Sequence, residues 1–226
     1  MFNFLSLLSV YDDDASSTFI LITSITVVLL VAMLVALCFA SKKLNTKTIA
    51  YASMAIASSY ILSFLKVSPV QYGGSITLCS MVPIAIFAYC FGFFPSLLVG
   101  LIYGLLQFLQ NPYIFNYLTL ILDFILAFTS IIAMPIIKKV VKNEKLSPIL
   151  GIAGVYVLRF LFHFMSGIIY FENGGIWANL PADNAFIYSF LYQIVYLLPD
   201  LIVALAVIIP LTTTNQFKRL TKFLTK

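Results

Sequence analysis

The sequence predicts an all-α integral membrane protein, and three observations carry that prediction. Of the 226 residues, 62% are hydrophobic and only 9% charged, against about 25% charged in soluble domains, and mean hydropathy is +1.06. Seven apolar segments have the length of a bilayer crossing, which takes about 20 residues at 1.5 Å each. The basic residues cluster in alternate connectors, as multi-pass chains arrange them. This composition excludes a water-soluble globule, a disordered tail and a nucleic-acid-binding module. The net charge of +5 therefore bears on topology, with the lipid bilayer as partner and no nucleic acid.

The segments are Thr18–Ala40, Lys47–Leu65, Ile76–Phe91, Pro95–Leu109, Tyr117–Ile137, Pro148–Phe171 and Ala185–Pro210. Met1–Asp14 lacks a basic leader and ends in three aspartates, so residues 1–17 read as an outer arm and not as a cleaved signal. Residues 18–45 hold the first crossing and a basic loop. Only Gly92, Phe93 and Phe94 separate the third segment from the fourth, which predicts a tightly turned hairpin, with a re-entrant pair as the alternative. If the N-terminus lies outside, Lys42, Lys43, Lys47, Lys138, Lys139, Lys142, Lys145, Lys218, Arg219, Lys222 and Lys226 all fall inside. Asp12, Asp13, Asp14, Glu172 and Asp183 fall outside, and residues 212–226 become a basic cytoplasmic tail. Residues 46–211 form the membrane domain. Cys38, Cys79 and Cys90 sit in apolar runs and read as buried small hydrophobes.

An ionisable group at bilayer depth costs at least about 2.5–3.5 kcal/mol on insertion scales, so it normally faces the bundle interior with a partner or a task. Asp123, Arg159, His163 and Asp200 are such groups. Asp123 lies about ten residues, or roughly 15 Å of helix, below the outer loop around Asn111–Tyr113. Arg159 and His163 share a helix face at i, i+4, and Gly167 continues it outward. Tyr188, Tyr192 and Tyr196 repeat at i, i+4, i+8, with Ser189 and Gln193 beside them. Together with the aromatic stretch from Tyr170 to Trp177, these groups describe a small-molecule pocket opening outward. The plain readings are an interfacial tyrosine belt, a structural Arg159–Asp123 pair and an interhelical hydrogen bond from His163. Asp200 follows Pro199 toward the inner leaflet and reads as structural or as part of a kink.

Catalytic machinery is not evident. There is no P-loop sequence, no GxSxG, HExxH or CxxC, and a single histidine cannot build a His-rich metal centre. The expectation is a non-enzyme without cofactor or metal that borrows energy from another protein. An intramembrane enzyme using Asp123 and His163 as acid and base is the alternative of another class.

Several ordered stretches carry a family resemblance. They are QYGGSITL at Gln71–Leu78 followed by Pro83, GLLQF at Gly104–Phe108 and LDFILAF at Leu122–Phe128, then RFLFHFMSG at Arg159–Gly167 and YSFLYQ at Tyr188–Gln193 leading to Leu198-Pro199-Asp200. In these the chain resembles the thiamine-specific substrate-binding (S) component of energy-coupling factor (ECF) vitamin transporters. The resemblance implies a six-helix S-component core, to which Thr18–Ala40 is one extra N-terminal transmembrane helix. It implies thiamine capture from outside and release inside, with a transmembrane coupling subunit and two ATPase subunits as partners, in the plasma membrane of a prokaryote. The implied ligand positions are Tyr113, Asp123, Phe124, Arg159, His163, Gly167, Phe171, Tyr188, Ser189 and Gln193, with Tyr170 added from the aromatic stretch.

Thiamine suits such a set. Aromatic faces attract its thiazolium by about 2 kcal/mol when desolvated, while its aminopyrimidine pairs with a carboxylate and an amide. Asp123 and Gln193 would hold the pyrimidine; Tyr188, Tyr170 or Phe171 and Trp177 would cover the cation; Arg159 would stabilise Asp123. The chain departs from the family pattern at Asp123-Phe124 (usually Glu-Tyr), Phe171 (usually Trp) and Gln193 (usually Asn). These departures leave another small heterocyclic vitamin as the alternative ligand. In the second segment, Ser53 with Ala57 and Ala55 with Ser59 are small-xxx-small pairs. The family docks on its coupling subunit through small residues here, and internal helix packing is the other reading.

Overall fold

Asn45 starts the first described helix by accepting a hydrogen bond from the Lys47 amide. In this computed structural model residues 44–67, 74–111, 117–172 and 184–224 are described. The arm and the first expected crossing, Thr18–Ala40, lie outside them. Helix α1 (Thr46–Phe64) leads into a two-residue strand, β1 (Lys66–Val67), paired antiparallel with β2 (Ile76–Thr77) so that Lys66 faces Thr77.

The third expected segment thus begins differently from its hydropathy. Ile76 and Thr77 are extended, Cys79 takes a left-handed φ of 60°, and helix α2 covers only Met81–Phe91. Its 11 residues rise about 17 Å, roughly half the hydrocarbon thickness of a bilayer. Gly92, with φ 85°, turns the chain directly into α3 (Phe93–Gln110); a residue with a Cβ is strained at that angle.

Helix α4 (117–140) is irregular. It passes from an α-turn at Tyr117–Leu120 through a wide π-helical turn at Ile121–Leu126 and a tight 3₁₀ turn at Ser130–Ile132 before ending as α-helix at Ala133–Val140. Helices α5 (Leu146–Glu172) and α6 (Ala185–Thr213) are the longest, and α6 starts at an Asn184 cap whose side chain accepts from the Ile187 amide at 2.9 Å. Residues beyond Thr214, expected as a tail, form α7 (Asn215–Leu224). This helix is amphipathic: Phe217 is buried while Lys218, Arg219 and Lys222 face out.

Met81, Ile84, Tyr103, Ile131, Met134, Ile152 and Ile208 are fully buried where α2–α6 meet. In lipid, burial of apolar surface does not itself drive helices together, so close packing must. Glycines supply it. A Cβ at Gly167 of α5 would collide with Ser189 Oγ of α6, and one at Gly104 of α3 with the Phe124 carbonyl oxygen of α4.

Four of the described helices are long and apolar enough to cross a membrane: Phe93–Gln110, Leu118–Val140, Leu146–Phe171 and Ala185–Thr213. Large apolar side chains such as Val157, Met165, Phe186 and Ile202 stand outward on them, as a lipid solvent allows and water does not. The chain is an all-α integral membrane protein of multi-pass type. Cys79 and Cys90 are free thiols and half-buried, less enclosed than their apolar surroundings suggested.

Candidate binding site

The site begins at the π-helical turn of α4. Such turns insert an extra residue into a helix and frequently mark functional positions; here the turn carries Asp123 and Phe124. Gly104 accommodates it, because the Phe124 carbonyl comes too close to α3 for any side chain at that position.

Asp123 faces α5. Its Oδ1 lies 2.8 Å from His163 Nδ1 and its Oδ2 accepts the Ser166 hydroxyl at 2.6 Å. The other ring nitrogen, Nε2, is buried without a hydrogen-bond partner. Gln193 of α6 donates from Nε2 to the His163 carbonyl at 3.0 Å, which turns its Oε1 away from that bond.

Arg159 does not stabilise Asp123 as the sequence suggested. Its Nη1 lies 3.7 Å from Asp200 Oδ2, and its guanidinium covers the Phe128 ring at 4.6 Å. The reason is level: Arg159 lies one turn of α5 below His163, where Asp200 of α6 waits and Asp123 does not reach. Asp200 is tightly held there, accepting from Tyr156 Oη at 2.7 Å, from the Thr77 amide at 2.8 Å and from the Thr77 hydroxyl at 2.9 Å. It is the structural group the sequence made it, and it ties β2 to α5 and α6.

Asp123, Phe124, Arg159, His163 and Gln193 line one cavity at the end of the bundle where α1 finishes and α4 begins. Its wall also includes Lys66, Gly74, Thr77, Tyr103, Gln107, Phe128, Tyr192 and Tyr196. The centre of a water molecule can move through about 110 Å³ of it, and its empty space with the mouth included is about 890 Å³. The loop at Gly74 is pressed onto this wall: the Gly74 amide donates to Tyr192 Oη at 2.8 Å, and a Cβ at Gly74 would meet the Tyr196 ring.

Gly167, Tyr170, Phe171, Tyr188 and Ser189 do not belong to the described wall. Ser189 donates to the Phe164 carbonyl at 2.7 Å, Tyr188 is buried against Phe171 with ring centroids 4.7 Å apart, and Gly167 receives Ser189 in the α5–α6 crossing. Tyr170 is buried too. Tyr113 and Trp177 lie outside the described residues.

Sequence reasoning overlooked Gln107, and it placed Tyr192 and Tyr196 at the pocket without counting them among the ligand positions. Gln107 was nevertheless visible as an amide inside an apolar span, and the two tyrosines were visible as the deeper part of the tyrosine repeat.

The chemical demand of the cavity is specific. Gln107 Nε2, Arg159 Nε, His163 Nε2 and Gln193 Oε1 are buried and have no hydrogen-bond partner, and all four residues line this one wall. Each unsatisfied buried group costs about 1–3 kcal/mol, so a guest with matching donors and acceptors gains at each of them. Arg159 pairs with Asp200, while Asp123 meets His163 and the Ser166 hydroxyl. Lys66 is exposed at the wall.

The family model described as thiamine transporter protein matches residues 49–219. The chain belongs to the thiamine transporter protein family. That family is one of transporters and not of enzymes, and the matched residues contain every described position of the cavity wall. The fold is similar to a solved structure of ThiT from Listeria monocytogenes, with a TM-score of 0.62 and 23% identity over 75% of this chain and 96% of that one. No curated protein matches the chain.

The small residues of α1 divide between two faces in this family member. Ser59 is fully buried, its carbonyl accepting from Tyr103 Oη at 3.3 Å, and Ala55 is half-buried beside it in sequence register. Ser53 and Ala57 are exposed, and the Ser53 hydroxyl is spent on the Ile49 carbonyl at 3.0 Å.

Proposed function

We propose that this chain is the S component of an energy-coupling factor transporter and that its cavity takes thiamine. Family membership supports the ligand, and the cavity supports the mode of capture. Asp123, held by His163 and Ser166, offers its remaining lone pairs and its charge to the thiamine cation, with Phe124, Tyr192 and Tyr196 as aromatic faces. Gln193 Oε1 accepts the exocyclic amine of the pyrimidine, while Arg159 Nε and Gln107 Nε2 donate to its ring nitrogens. The Gly74 loop lies over the same wall. Gly167, Tyr170, Phe171 and Tyr188 act one step back, fixing the α5–α6 geometry that aims His163 and Gln193, and Tyr113 is a further ligand residue by the family resemblance.

The observation that carries this reading is the convergence of four unpaired buried polar atoms and Asp123 on one cavity. With no P-loop in the chain, work is supplied by a coupling subunit and two ATPase subunits, and the exposed Ser53 and Ala57 face of α1 is where the coupling subunit sits. The lysine-rich helix ends support an orientation with the cavity mouth outside and the C-terminus in the cytoplasm.

A thermal-shift screen of the purified full chain against thiamine, its pyrimidine half and other vitamins tests the ligand. Thiamine at about 100 times its Kd adds about 2.7 kcal/mol of stability, so a clear rise in Tm is expected for thiamine. A rise for a different heterocycle alone overturns the assignment.

A further inference from the structure

The opposite end of the bundle holds a second hollow, larger in open space and opposite in charge. It measures about 660 Å³ and lies between the end of α4, the α4–α5 connector, the end of α6 and the amphipathic α7. Five lysines line it, Lys138, Lys142, Lys145, Lys218 and Lys222, against one acid, Glu144. Lys138 is committed, donating to the Tyr89 carbonyl at 2.7 Å with its ammonium 4.3 Å from the centre of the Tyr89 ring. Lys218 bridges to Glu144 at 2.9 Å, but both side chains are 69% exposed, and a surface pair of that kind holds its partners weakly. The ion pairs found among the described residues leave Lys142, Lys145 and Lys222 without an acidic partner.

The concentration of positive charge costs free energy unless an anion shares the hollow. The rim says which kind. Val140, Leu146 and Phe223, each next in the chain to a lining residue, are large apolar side chains exposed at 76%, 46% and 68%. Phe217 and Tyr89 form the aromatic floor with ring centroids 5.2 Å apart. A cluster of ammonium groups bordered by exposed apolar groups, at the end of membrane-spanning helices and beside an amphipathic helix, matches a phosphate joined to acyl chains.

We propose that this hollow binds the phosphodiester headgroup of an anionic lipid. The lipid phosphate sits among Lys142, Lys145, Lys218 and Lys222, and its acyl chains run past Val140 and Phe223. The bound lipid neutralises the hollow and pins α7 against the ends of α4 and α6. Free phosphate shares the headgroup's charge but lacks the chains, so the lipid commitment is testable.

The test uses the full chain in mixed micelles of phosphatidylglycerol and phosphatidylcholine in equal amounts, with retained lipid counted by mass spectrometry after delipidating washes. Phosphatidylglycerol should be retained on the order of tenfold over phosphatidylcholine. The triple change Lys142→Gln, Lys145→Gln, Lys222→Gln should bring the ratio to about one, while Lys47→Gln, Lys139→Gln, Arg219→Gln, which removes equal charge from outside the hollow, should leave it unchanged. Circular dichroism confirms that both variants fold, and the wild-type ratio stands independently of them. No preference in the wild type overturns the site. Equal loss in both triples means diffuse attraction and overturns it as well, and displacement of the lipid by inorganic phosphate at constant ionic strength overturns the lipid as occupant.

Discussion

Asp123 is the residue on which the proposed site turns. Its two short bonds, to His163 Nδ1 at 2.8 Å and from Ser166 at 2.6 Å, fix its position. Asp123→Asn should keep the shape and remove the charge, weakening thiamine binding by about 1.5–3 kcal/mol, or roughly ten- to a hundredfold, with little change in Tm; isothermal calorimetry reads the first and thermal unfolding the second. Gln193→Leu should act differently, because it removes both the Oε1 acceptor and the Nε2 bond to the His163 carbonyl. Loss of affinity there should come with a lower Tm. Asp123, His163, Arg159 and Gln193 were legible as polar groups at bilayer depth, where insertion cost makes each one conspicuous. Their pairing was not. Helical spacing fixes which face a residue occupies, but only the relative level of two helices decides that Arg159 meets Asp200.

At the level of elements, the wall depends on two close approaches. Where α3 meets the π-helical turn, a Cβ at Gly104 would collide with the Phe124 carbonyl, so Gly104→Ala should push α4 away at a cost of about 1–3 kcal/mol and displace Asp123 with it. The check is a fall in Tm together with weaker thiamine binding. The second is the Asp200 junction, which joins Thr77 of β2, Tyr156 and Arg159 of α5, and α6. Asp200→Ala leaves Arg159 buried without its partner and should destabilise the chain by about 3–5 kcal/mol, measured as a loss of folded protein on heating in detergent. Helices α1 and α3–α6 were legible from apolar runs within a few residues. The π-helical turn was not, because hydropathy is blind to one inserted residue, and neither was the Ile76–Thr77 strand, whose apolar side chains read like the helix that follows. Helix α7 was read as a tail because its charges conceal the Phe217 face.

At the scale of the molecule, the described bundle has two unlike ends: an aromatic cavity with a carboxylate at one, a lysine-lined hollow at the other. The bilayer class followed from composition, since it is a property of whole segments. Which polar groups meet in the cavity did not, because that arises from the packing of elements distant in the sequence. The proposed S-component role predicts that the chain alone binds thiamine and does not accumulate it: proteoliposomes holding only this protein should show no ATP-dependent uptake, and active uptake without partners would contradict that role. The most direct measurement is calorimetric titration of the full chain and two variants with thiamine. Submicromolar binding is expected for the wild type, at least roughly tenfold weaker binding for Asp123→Ala, and binding within about twofold of wild type for Ser189→Ala, whose hydroxyl serves only the α5–α6 crossing. No binding below about 10 μM, or binding that survives Asp123→Ala and fails in Ser189→Ala, would contradict that expectation.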